Sequence, residues 1–196
     1  MTFIDVPPSK IAAVVTALEM TAPPPARPLP AASAQFGVRR VEQPALDWYR
    51  DLFRRVGTPW LWFSRLRADD ASLAAVIHNP AVEISTLTAG GRDEGLLELD
   101  FRKPGEVELA FFGVTPELVG RGAGRLLMDA ALRRAWAARP RRVWVHTCTL
   151  DHPAALAFYQ RSGFVPYRRQ VEIDDDPRLD GTLPADAAPH VPLIRP

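Results

Sequence analysis

A glycine-rich turn in the second half of the chain constrains the fold more than any other stretch. Gly120–Gly124 follows an apolar run, Leu109–Val114, and precedes an amphipathic segment, Arg125–Arg139, that a proline ends. This is the pattern of a strand, a turn and a helix. Backbone N–H groups at the N-terminus of such a helix bind anions, usually a phosphate, and Arg121 and Arg125 add positive charge beside them. The sequence therefore predicts that the chain holds a phosphate at this turn.

Two common phosphate-binding motifs do not fit the turn. A dinucleotide fingerprint, GxGxxG, needs a third glycine at position 125 or 127, where the chain has Arg125 and Leu127. A Walker loop needs a Gly-Lys-Ser/Thr ending, which the turn lacks. The turn is therefore either the site of another phosphate ligand or only a connection between a strand and a helix.

Composition excludes several function classes. A chain of 196 residues with 47% hydrophobic residues can bury one full core, and a net charge of +1 argues against nucleic acid as a partner. The single cysteine, Cys148, excludes an intrachain disulfide framework and fits a reducing cytoplasm. One cysteine and four scattered histidines argue against a zinc site. We therefore expect a cytoplasmic protein that binds no metal and no nucleic acid.

The sequence gives no indication of a membrane segment. No stretch approaches the roughly 20 uninterrupted apolar residues that a membrane helix needs. The run Ile11–Leu18 has Lys10 as its one basic flank and is followed by Glu19 rather than by a small-residue cleavage site, which argues against a signal peptide. We therefore expect no membrane partner.

Periodicity and turn residues predict an alternation of helices and strands. Ile11–Met20 fits a strand or a short helix, and the prolines between Pro23 and Pro30 then force an extended connector, either a plain linker or a recognition segment for a partner. An antiparallel meander of three strands leads into the glycine turn, and the strand after the long helix is predicted to run parallel to the last of these. In chain order, the predicted elements are helices Ala45–Val56 and Ala71–His78, strands Val82–Thr88, Glu94–Arg102 and Glu106–Val114, helix Arg125–Arg139, strand Arg142–Thr147, a helix capped by Asp151 that ends near Arg161, and strand Phe164–Ile173.

Two motifs in this order resemble the GNAT superfamily of N-acetyltransferases. Val119–Gly124 (VGRGAG) is similar to the superfamily's pyrophosphate loop, (Gln/Arg)-x-x-Gly-x-(Gly/Ala), with Val119 in place of the usual polar residue. Ala155–Phe164 resembles the superfamily's A-x-x-x-Y-x-x-x-G-F, and His152 stands where the superfamily often has Asn. Two motifs at this separation are far more specific than either alone. The resemblance covers residues 10–173, most of the chain.

The resemblance implies an α/β fold of the α+β type. In this GNAT fold a mixed central sheet of about six strands contains an antiparallel meander, is splayed at the acyl-CoA cleft and is flanked by helices. A seventh strand, usual in the superfamily, is not visible in the tail. The chain would then divide into residues 1–30 (an N-terminal arm and first strand, expected at 11–20, with the proline-rich connector), residues 31–173 (the acetyltransferase domain) and residues 174–196 (a proline-rich tail, either a wrapping arm or partly disordered).

For the cofactor, the resemblance implies acetyl-CoA as co-substrate. Backbone N–H groups around Val119–Arg125 are expected to bind its pyrophosphate, and free backbone groups near Val114, where the strand splays from its neighbour, to hold the pantetheine arm. A bulge would be tolerated at Gly113, and a backbone N–H there would polarise the thioester carbonyl. The implied cofactor-binding residues are Phe112, Gly113, Val114, Val119, Gly120, Arg121, Gly122, Ala123, Gly124, Arg125, His152, Ala155 and Phe158.

For catalysis, the resemblance implies Tyr159 as the general acid that protonates the departing thiolate. The alternative is that Tyr159 packs its ring in the core and transfers no proton. Glu108 matches the position of a catalytic glutamate in some members of the superfamily and is the candidate base. Glu106 lies on the same strand face, so the two carboxylates could raise each other's pKa or bind a cationic amine. Otherwise one or both are simply solvated strand residues, and either water relays the proton or there is no dedicated base.

The acceptor cleft is predicted from aromatic residues and histidines. The stretch Trp60–Phe63 either closes the core or walls a substrate cleft. His146 and His152 lie beside the expected cleft, where each is either a base or a cap or core hydrogen-bond partner. Cys148, between them, is either a reactive thiol or a small buried residue. The predicted cleft residues are Trp60, Trp62, Glu106 and His146.

The function that the resemblance implies is acetyl transfer. We expect an acetyl-CoA-dependent N-acetyltransferase that acts by direct transfer on a primary amine of a small molecule, a peptide or a protein. The alternatives are a non-catalytic acyl-CoA-binding module with the same fold and a transferase that uses another acyl-CoA or a hydroxyl acceptor. An exposed last strand and the proline-rich arms would suit a homodimer.

Overall fold

Seven strands form a single sheet in the computed structural model of the chain, which describes residues 2–196. The strands are β1 Lys10–Met20, β2 Phe36–Val41, β3 Val82–Ala89, β4 Arg92–Asp100, β5 Glu106–Val114, β6 Arg142–Cys148 and β7 Val165–Asp175, and their order across the sheet is β2-β3-β4-β5-β6-β1-β7. The helices are α1 Leu46–Gly57, α2 Ser64–Arg67, α3 Asp70–Ile77, α4 Ala123–Ala137 and α5 Ala155–Arg161, with 3-10 helical turns at Ala31–Gln35, Thr58–Trp60 and Pro116–Leu118. None of the helices within residues 2–196 is long and apolar enough to cross a membrane.

The core lies on both faces of the sheet, because successive strand residues point to opposite sides. On β4, Leu96 packs with the buried residues of α1 and α3, whereas Leu97 and Leu99 pack with those of α4. The buried side chains of α1 recur at helical spacing, as the amphipathic pattern predicts. They are Tyr49, Leu52, Phe53 and Val56.

The α/β class is confirmed: the sheet is mixed, contains the β3-β4-β5 meander and carries helices on both faces. The position of the first strand was not foreseen. β1 lies between β6 and β7 and pairs antiparallel with both. β2, which the sequence did not suggest, pairs with β3 at the opposite edge, and its Gly37 and two arginines weaken the apolar alternation that predicts a strand. The sheet therefore has seven strands. The seventh strand, which the tail does not show, is β2 in the N-terminal part of the chain.

The proline-rich tail wraps around the molecule. Ile11 of β1 and Leu61 form a small buried cluster with three tail residues, Leu183, Ala187 and Ala188. Arg178 forms a buried ion pair with Asp176, and both side chains are 2% exposed. The guanidinium of Arg178 also donates hydrogen bonds to the carbonyl groups of Ala187, Val191 and Pro192. By hydrogen-bonding several tail carbonyls, this guanidinium satisfies backbone groups that have no strand partner and so holds the irregular tail in place. The division of the chain into three parts stays a prediction.

Candidate functional site

The parallel strands β5 and β6 diverge and leave a cleft. They pair only over Glu106–Glu108 and Arg142–Trp144, although β5 continues to Val114 and β6 to Cys148. Between the diverging ends lies a cavity of about 560 Å³. Both β5 and β6 contribute to its walls, together with α5, the glycine turn and the aromatic stretch after α1. The splay expected near Val114 is therefore present.

A bulge in β5 turns its residues towards opposite sides of the cleft. Glu98 pairs with Phe111 and Leu99 with Leu109, so Ala110 is the additional residue. The bulge was expected at Gly113 and lies at Ala110 instead. Gly113 has a different steric role, because a Cβ there would lie 2.5 Å from Cγ1 of Val56. Only glycine lets β5 approach α1 so closely.

Side chains from both faces of the sheet line the cavity, because successive residues of β5 point to opposite sides. Phe111 packs with Trp62 and Phe53 on the α1 side, with ring centroids 5.2 and 4.8 Å away. Phe112 stacks on Phe158 of α5 on the other side, with ring centroids 5.7 Å apart. A ligand that fills the cleft can therefore enter on the α4–α5 side and present its far end on the α1 side.

The glycine turn presents backbone donors to the α4–α5 side of the cavity. Gly120 and Gly122 have φ angles of +77° and +85°, which glycine adopts without strain. Within residues 2–196, no backbone carbonyl accepts from the N–H groups of Gly120, Gly122, Ala123, Gly124 or Arg125. Unpaired N–H groups in a turn and in the first turn of a helix form an anion-binding nest.

Positive charge surrounds this nest. Arg125 lines the cavity, and Arg121 is exposed at its rim. Neither guanidinium has a carboxylate within 4.0 Å in the described chain. Val119, where the superfamily usually has a polar residue, lines the cavity with an exposed apolar side chain. The nest therefore relies on backbone donors and arginines, without a side-chain contact from position 119.

The segment before α5 differs from the predicted capped helix. Asp151 does not cap the helix, because its carboxylate accepts hydrogen bonds from the Thr147 hydroxyl and the Cys148 N–H. The helix begins at Ala155, and Nδ1 of His152 accepts from the Ala154 N–H at 3.0 Å. The sequence favoured a cap because Asp151 is followed by a proline two residues later, but the strand end competes for its carboxylate.

Tyr159 lies on the inner wall of the cavity. Its side chain is 7% exposed and contacts the rings of Phe112, Phe158 and Phe164. No protein group between residues 2 and 196 hydrogen-bonds its hydroxyl. Burial and, to a lesser extent, the carboxylate of Asp151 raise the pKa of Tyr159 above its ordinary value, so the phenol is neutral and able to donate a proton.

Glu108 contacts a histidine rather than the other predicted carboxylate. Oε1 of Glu108 lies 3.6 Å from Nδ1 of His146, and His146 lines the cavity whereas Glu108 does not. The nearby carboxylate of Glu108 outweighs desolvation and raises the pKa of His146 above its ordinary value. The two groups therefore form a dyad in which the imidazole is the member that a ligand can touch.

Glu106 forms ion pairs with basic side chains rather than a pair with Glu108. Its carboxylate binds Arg142 at 2.8 Å and Lys103 at 3.1 Å. Although desolvation acts to raise the pKa of Glu106, these hydrogen bonds hold it below its ordinary value. Glu106 does not line the cavity. Glu106 and Glu108 share a strand face, as predicted, but they do not form a carboxylate pair.

The aromatic stretch after α1 forms a wall of the cavity and also packs in the core. The Trp62 indole N–H donates to Asp151 at 3.3 Å, and its ring packs on Phe111. Trp60 lies edge-on to the His152 ring, with centroids 5.0 Å apart, and contacts His190 of the tail. These aromatics therefore pack in the core and also line the cavity, and that this cavity binds a substrate stays a prediction.

Two carboxylates of β7 complete the acceptor side, and sequence reasoning missed them. Glu172 and Asp174 line the cavity because β7 is paired to β1, opposite Ala13 and Ile11. Asp174 contacts Arg67, whereas Glu172 has no cationic partner within 4.0 Å in residues 2–196. The sequence shows only that β7 ends in acidic residues. That Glu172 and Asp174 reach the cavity follows from the pairing of β7 with β1.

The remaining candidates have limited reactivity. Desolvation, with a smaller effect from Asp151, raises the pKa of Cys148 to about 11, so its thiol is protonated at neutral pH. Across residues 2–196, no three His, Cys, Asp or Glu side chains are arranged to hold a metal ion.

Most predicted site residues are brought together. Those that line the cavity are Phe112, Gly113, Val114, Val119, Gly120, Gly122, Gly124, Arg125, His152, Ala155, Phe158, Tyr159, Trp60, Trp62 and His146. Those that do not are Arg121 and Ala123 in the turn and Glu106 and Glu108 on β5.

The sequence matches one protein family. Residues 38–164 match the model of the GNAT acetyltransferase family. No curated protein sequence matches the chain.

Solved structures of two N-acetyltransferases and of a protein of unknown function have a fold similar to that of this chain. A functionally unknown conserved protein from Staphylococcus epidermidis is 15% identical with a TM-score of 0.56, and the match covers 85% of this chain and 63% of that one. A GCN5-related N-acetyltransferase from Sphaerobacter thermophilus is 17% identical with a TM-score of 0.56, covering 87% and 53%. The ribosomal-protein-S18-alanine N-acetyltransferase from Escherichia coli is 17% identical with a TM-score of 0.56, covering 70% and 90%. The chain spans less than two thirds of the length of the first two proteins, and at these identities the likeness is one of fold.

Proposed function

Because the chain belongs to the GNAT acetyltransferase family, we propose that it transfers an acetyl group from acetyl-CoA directly to a primary amine. The observation that carries the proposal is the cleft between β5 and β6, which has an anion-binding turn at one end and Tyr159 and His146 on its walls. Direct transfer needs an anchored donor, a polarised carbonyl, a deprotonated amine and a proton for the thiolate. Each need has a candidate group in this cleft.

The donor end is supported by backbone geometry. The unpaired N–H groups of Gly120 and of Gly122–Arg125 suit a pyrophosphate, and the edge of β5 beyond Glu108 has no strand partner on the β6 side. That free edge suits the amide groups of pantetheine, as an added strand would. Bound acetyl-CoA supplies the activated acetyl thioester. A backbone N–H of Ala110–Val114 would stabilise the negative charge that develops on the thioester oxygen.

Proton removal from the amine is assigned to His146. The imidazole lines the cavity, and Glu108 behind it stabilises the imidazolium that forms when a proton is taken. Glu108 is then a positioning residue that acts through the histidine. This differs from the expectation that Glu108 itself is the base.

Proton delivery to the thiolate is assigned to Tyr159. The thiolate that departs from the thioester needs a proton, and the neutral phenol of Tyr159 on the cavity wall is positioned to supply it. Because no protein group holds the Tyr159 hydroxyl in residues 2–196, that hydroxyl is available to a ligand.

The acceptor is proposed to be cationic before it loses its proton. Glu172 and Asp174, with Asp151 beside them, give this end of the cavity negative charge. Trp60 and Trp62 add apolar ring surface, on which the alkyl part of an alkylammonium packs. A polyamine, an aminoglycoside-like amine or a lysine side chain has this chemistry, whereas an α-amino acid carries a carboxylate that these residues would repel.

The test is a thiol-release assay with acetyl-CoA against a panel of amines, polyamines, amino acids and lysine peptides. We expect turnover with cationic alkylamines and little with free amino acids. Propionyl- and succinyl-CoA, used as alternative donors, distinguish acetyl transfer from transfer of a longer acyl group. Binding of acetyl-CoA without transfer to any member of the panel would contradict the enzyme assignment and favour an acyl-CoA-binding module.

A further inference from the structure

The proline-rich connector between β1 and β2 passes directly over the anion-binding turn. At one end, Pro24 packs against Gly163, where a Cβ would lie 3.3 Å from that of Pro24. At the other end, the Ser33 hydroxyl donates to the Gly122 carbonyl at 3.3 Å, and Pro30 lies beside the same glycine. The connector therefore spans the gap between the end of α5 and the start of α4.

A second cavity, of about 520 Å³, separates the connector from α4. Its floor is formed by apolar α4 side chains, Met128 and Leu132, and its roof by Pro23–Pro25 and Leu29. Arg125 lines this cavity and also the main cleft. The two cavities therefore adjoin at the anion-binding turn.

The rim of the second cavity carries uncompensated positive charge. Arg27 and Arg125, which line this cavity, have no carboxylate within 4.0 Å in the part of the chain that is described. Arg27 instead donates to the carbonyl of Arg161 at 2.6 Å, which ties the connector to the end of α5. Arg133 of the same cavity is already paired with Asp129. Unpaired guanidinium groups around an apolar groove suit a ligand that joins phosphate groups to a flat apolar ring.

CoA has this composition at the end remote from its thioester. With the thioester in the cleft and the pyrophosphate on Gly120–Arg125, the second cavity, which shares Arg125 with the cleft, adjoins the pyrophosphate and is where the 3′-phosphorylated adenosine would lie. We propose that the connector is part of the donor site: Arg27 binds the 3′-phosphate, and the groove between the prolines and α4 holds the adenine. This inference rests on the proposed CoA donor, but not on acetyl transfer.

The prolines favour such a role over that of a plain linker. A proline-rich segment is extended before a ligand arrives, so little conformational entropy is lost when a ligand binds against it. Contacts that do not involve Arg27, those of Pro24 with Gly163 and of Ser33 with Gly122, hold both ends of the segment. The site is therefore largely formed in advance.

The test is calorimetric titration of CoA and of 3′-dephospho-CoA, with the full chain and its variants. The wild-type protein is expected to bind CoA about tenfold more tightly than 3′-dephospho-CoA, because one arginine–phosphate contact is lost. In Arg27→Ala, the affinity for CoA should fall to that for 3′-dephospho-CoA, whose own affinity should be unchanged. Arg27→Lys, which keeps the charge, should keep part of the preference.

Arg54→Ala is the matched control, since Arg54 is exposed on α1 and has no ion pair within residues 2–196. It should leave both affinities unchanged. Equal binding of the two nucleotides by the wild type, or an equal loss for both in Arg27→Ala, would overturn the role of the connector while leaving the CoA donor intact. If neither nucleotide binds, the proposed donor and the connector's role fail together.

Discussion

The two ends of the cleft are built in different ways. The anion-binding part of the donor end is one contiguous stretch, Gly120–Arg125, which presents main-chain N–H groups at the start of α4. The acceptor end is assembled from side chains of separate elements: Trp60 and Trp62 after α1, His146 on β6, and Glu172 on β7. Main-chain donors can serve any member of a fold that binds the same cofactor, whereas side chains from separate elements can change independently. We therefore propose that specificity resides at the acceptor end.

The largest effect is expected from Arg178→Ala, which should release the C-terminal tail that borders the acceptor end. Arg178→Ala leaves the buried carboxylate of Asp176 and several carbonyl groups without their partner. Breaking one half of a buried ion pair costs about 3–5 kcal/mol. Denaturant titration should show this loss in the free energy of unfolding, or, if only the tail detaches, an increased KM for the amine with unchanged acetyl-CoA binding. Arg195→Ala, at the exposed end of the tail, should do neither. Wild-type stability and kinetics in Arg178→Ala would contradict the tail's role.

The next largest effect is expected from Tyr159→Phe, which should lower kcat without changing acetyl-CoA binding. Tyr159→Phe keeps the ring packing against Phe112 and Phe158 and removes the hydroxyl. Loss of a general acid lowers kcat by about 100-fold or more. Thiol-release kinetics should show this loss, and calorimetry should show acetyl-CoA binding as in the wild type. A variant that retains its kcat would show that Tyr159 only packs in the core.

A smaller effect is expected on the pH dependence of kcat/KM, which tests the dyad of Glu108 and His146. The base form of His146 is neutral, so kcat/KM should rise with pH through the pKa of His146, which Glu108 holds above its ordinary value. Glu108→Gln removes the charge that stabilises the imidazolium, so the pKa falls and the rising limb moves to lower pH. The plateau should also fall, by about tenfold, because the imidazole is oriented less well.

Glu106→Gln is the matched control for this experiment. It lies on the same strand face but binds Arg142 and Lys103, so it should leave the position of the limb unchanged. An identical shift in both variants would indicate a general field effect rather than a dyad. A limb that stays in place in Glu108→Gln would remove His146 from the proposed mechanism.

The contrast between the two ends also explains what the sequence could predict. The glycine turn was found because the pattern along one stretch determines a turn and a helix, and Tyr159 because Ala155–Phe164 resembles a superfamily motif. Glu172 was missed because it enters the site only through pairing of β7 with β1, whose position between β6 and β7 no local pattern indicates. Likewise, the spacing of Glu106 and Glu108 gave their shared face correctly, but their partners, Arg142 and His146, come from β6. Contacts between strands distant in sequence depend on the sheet order, which periodicity does not contain.

The most direct test of the division between the two ends is acetyl-CoA binding in one variant from each. Arg125→Ala removes an unpaired guanidinium beside the anion-binding turn, and Glu172→Gln removes the unpaired carboxylate at the acceptor side. By calorimetry, the Kd for acetyl-CoA should rise about tenfold in Arg125→Ala, since a charge-assisted contact to phosphate is lost, and should be unchanged in Glu172→Gln. Equal weakening in both variants, or weakening in Glu172→Gln alone, would contradict the account.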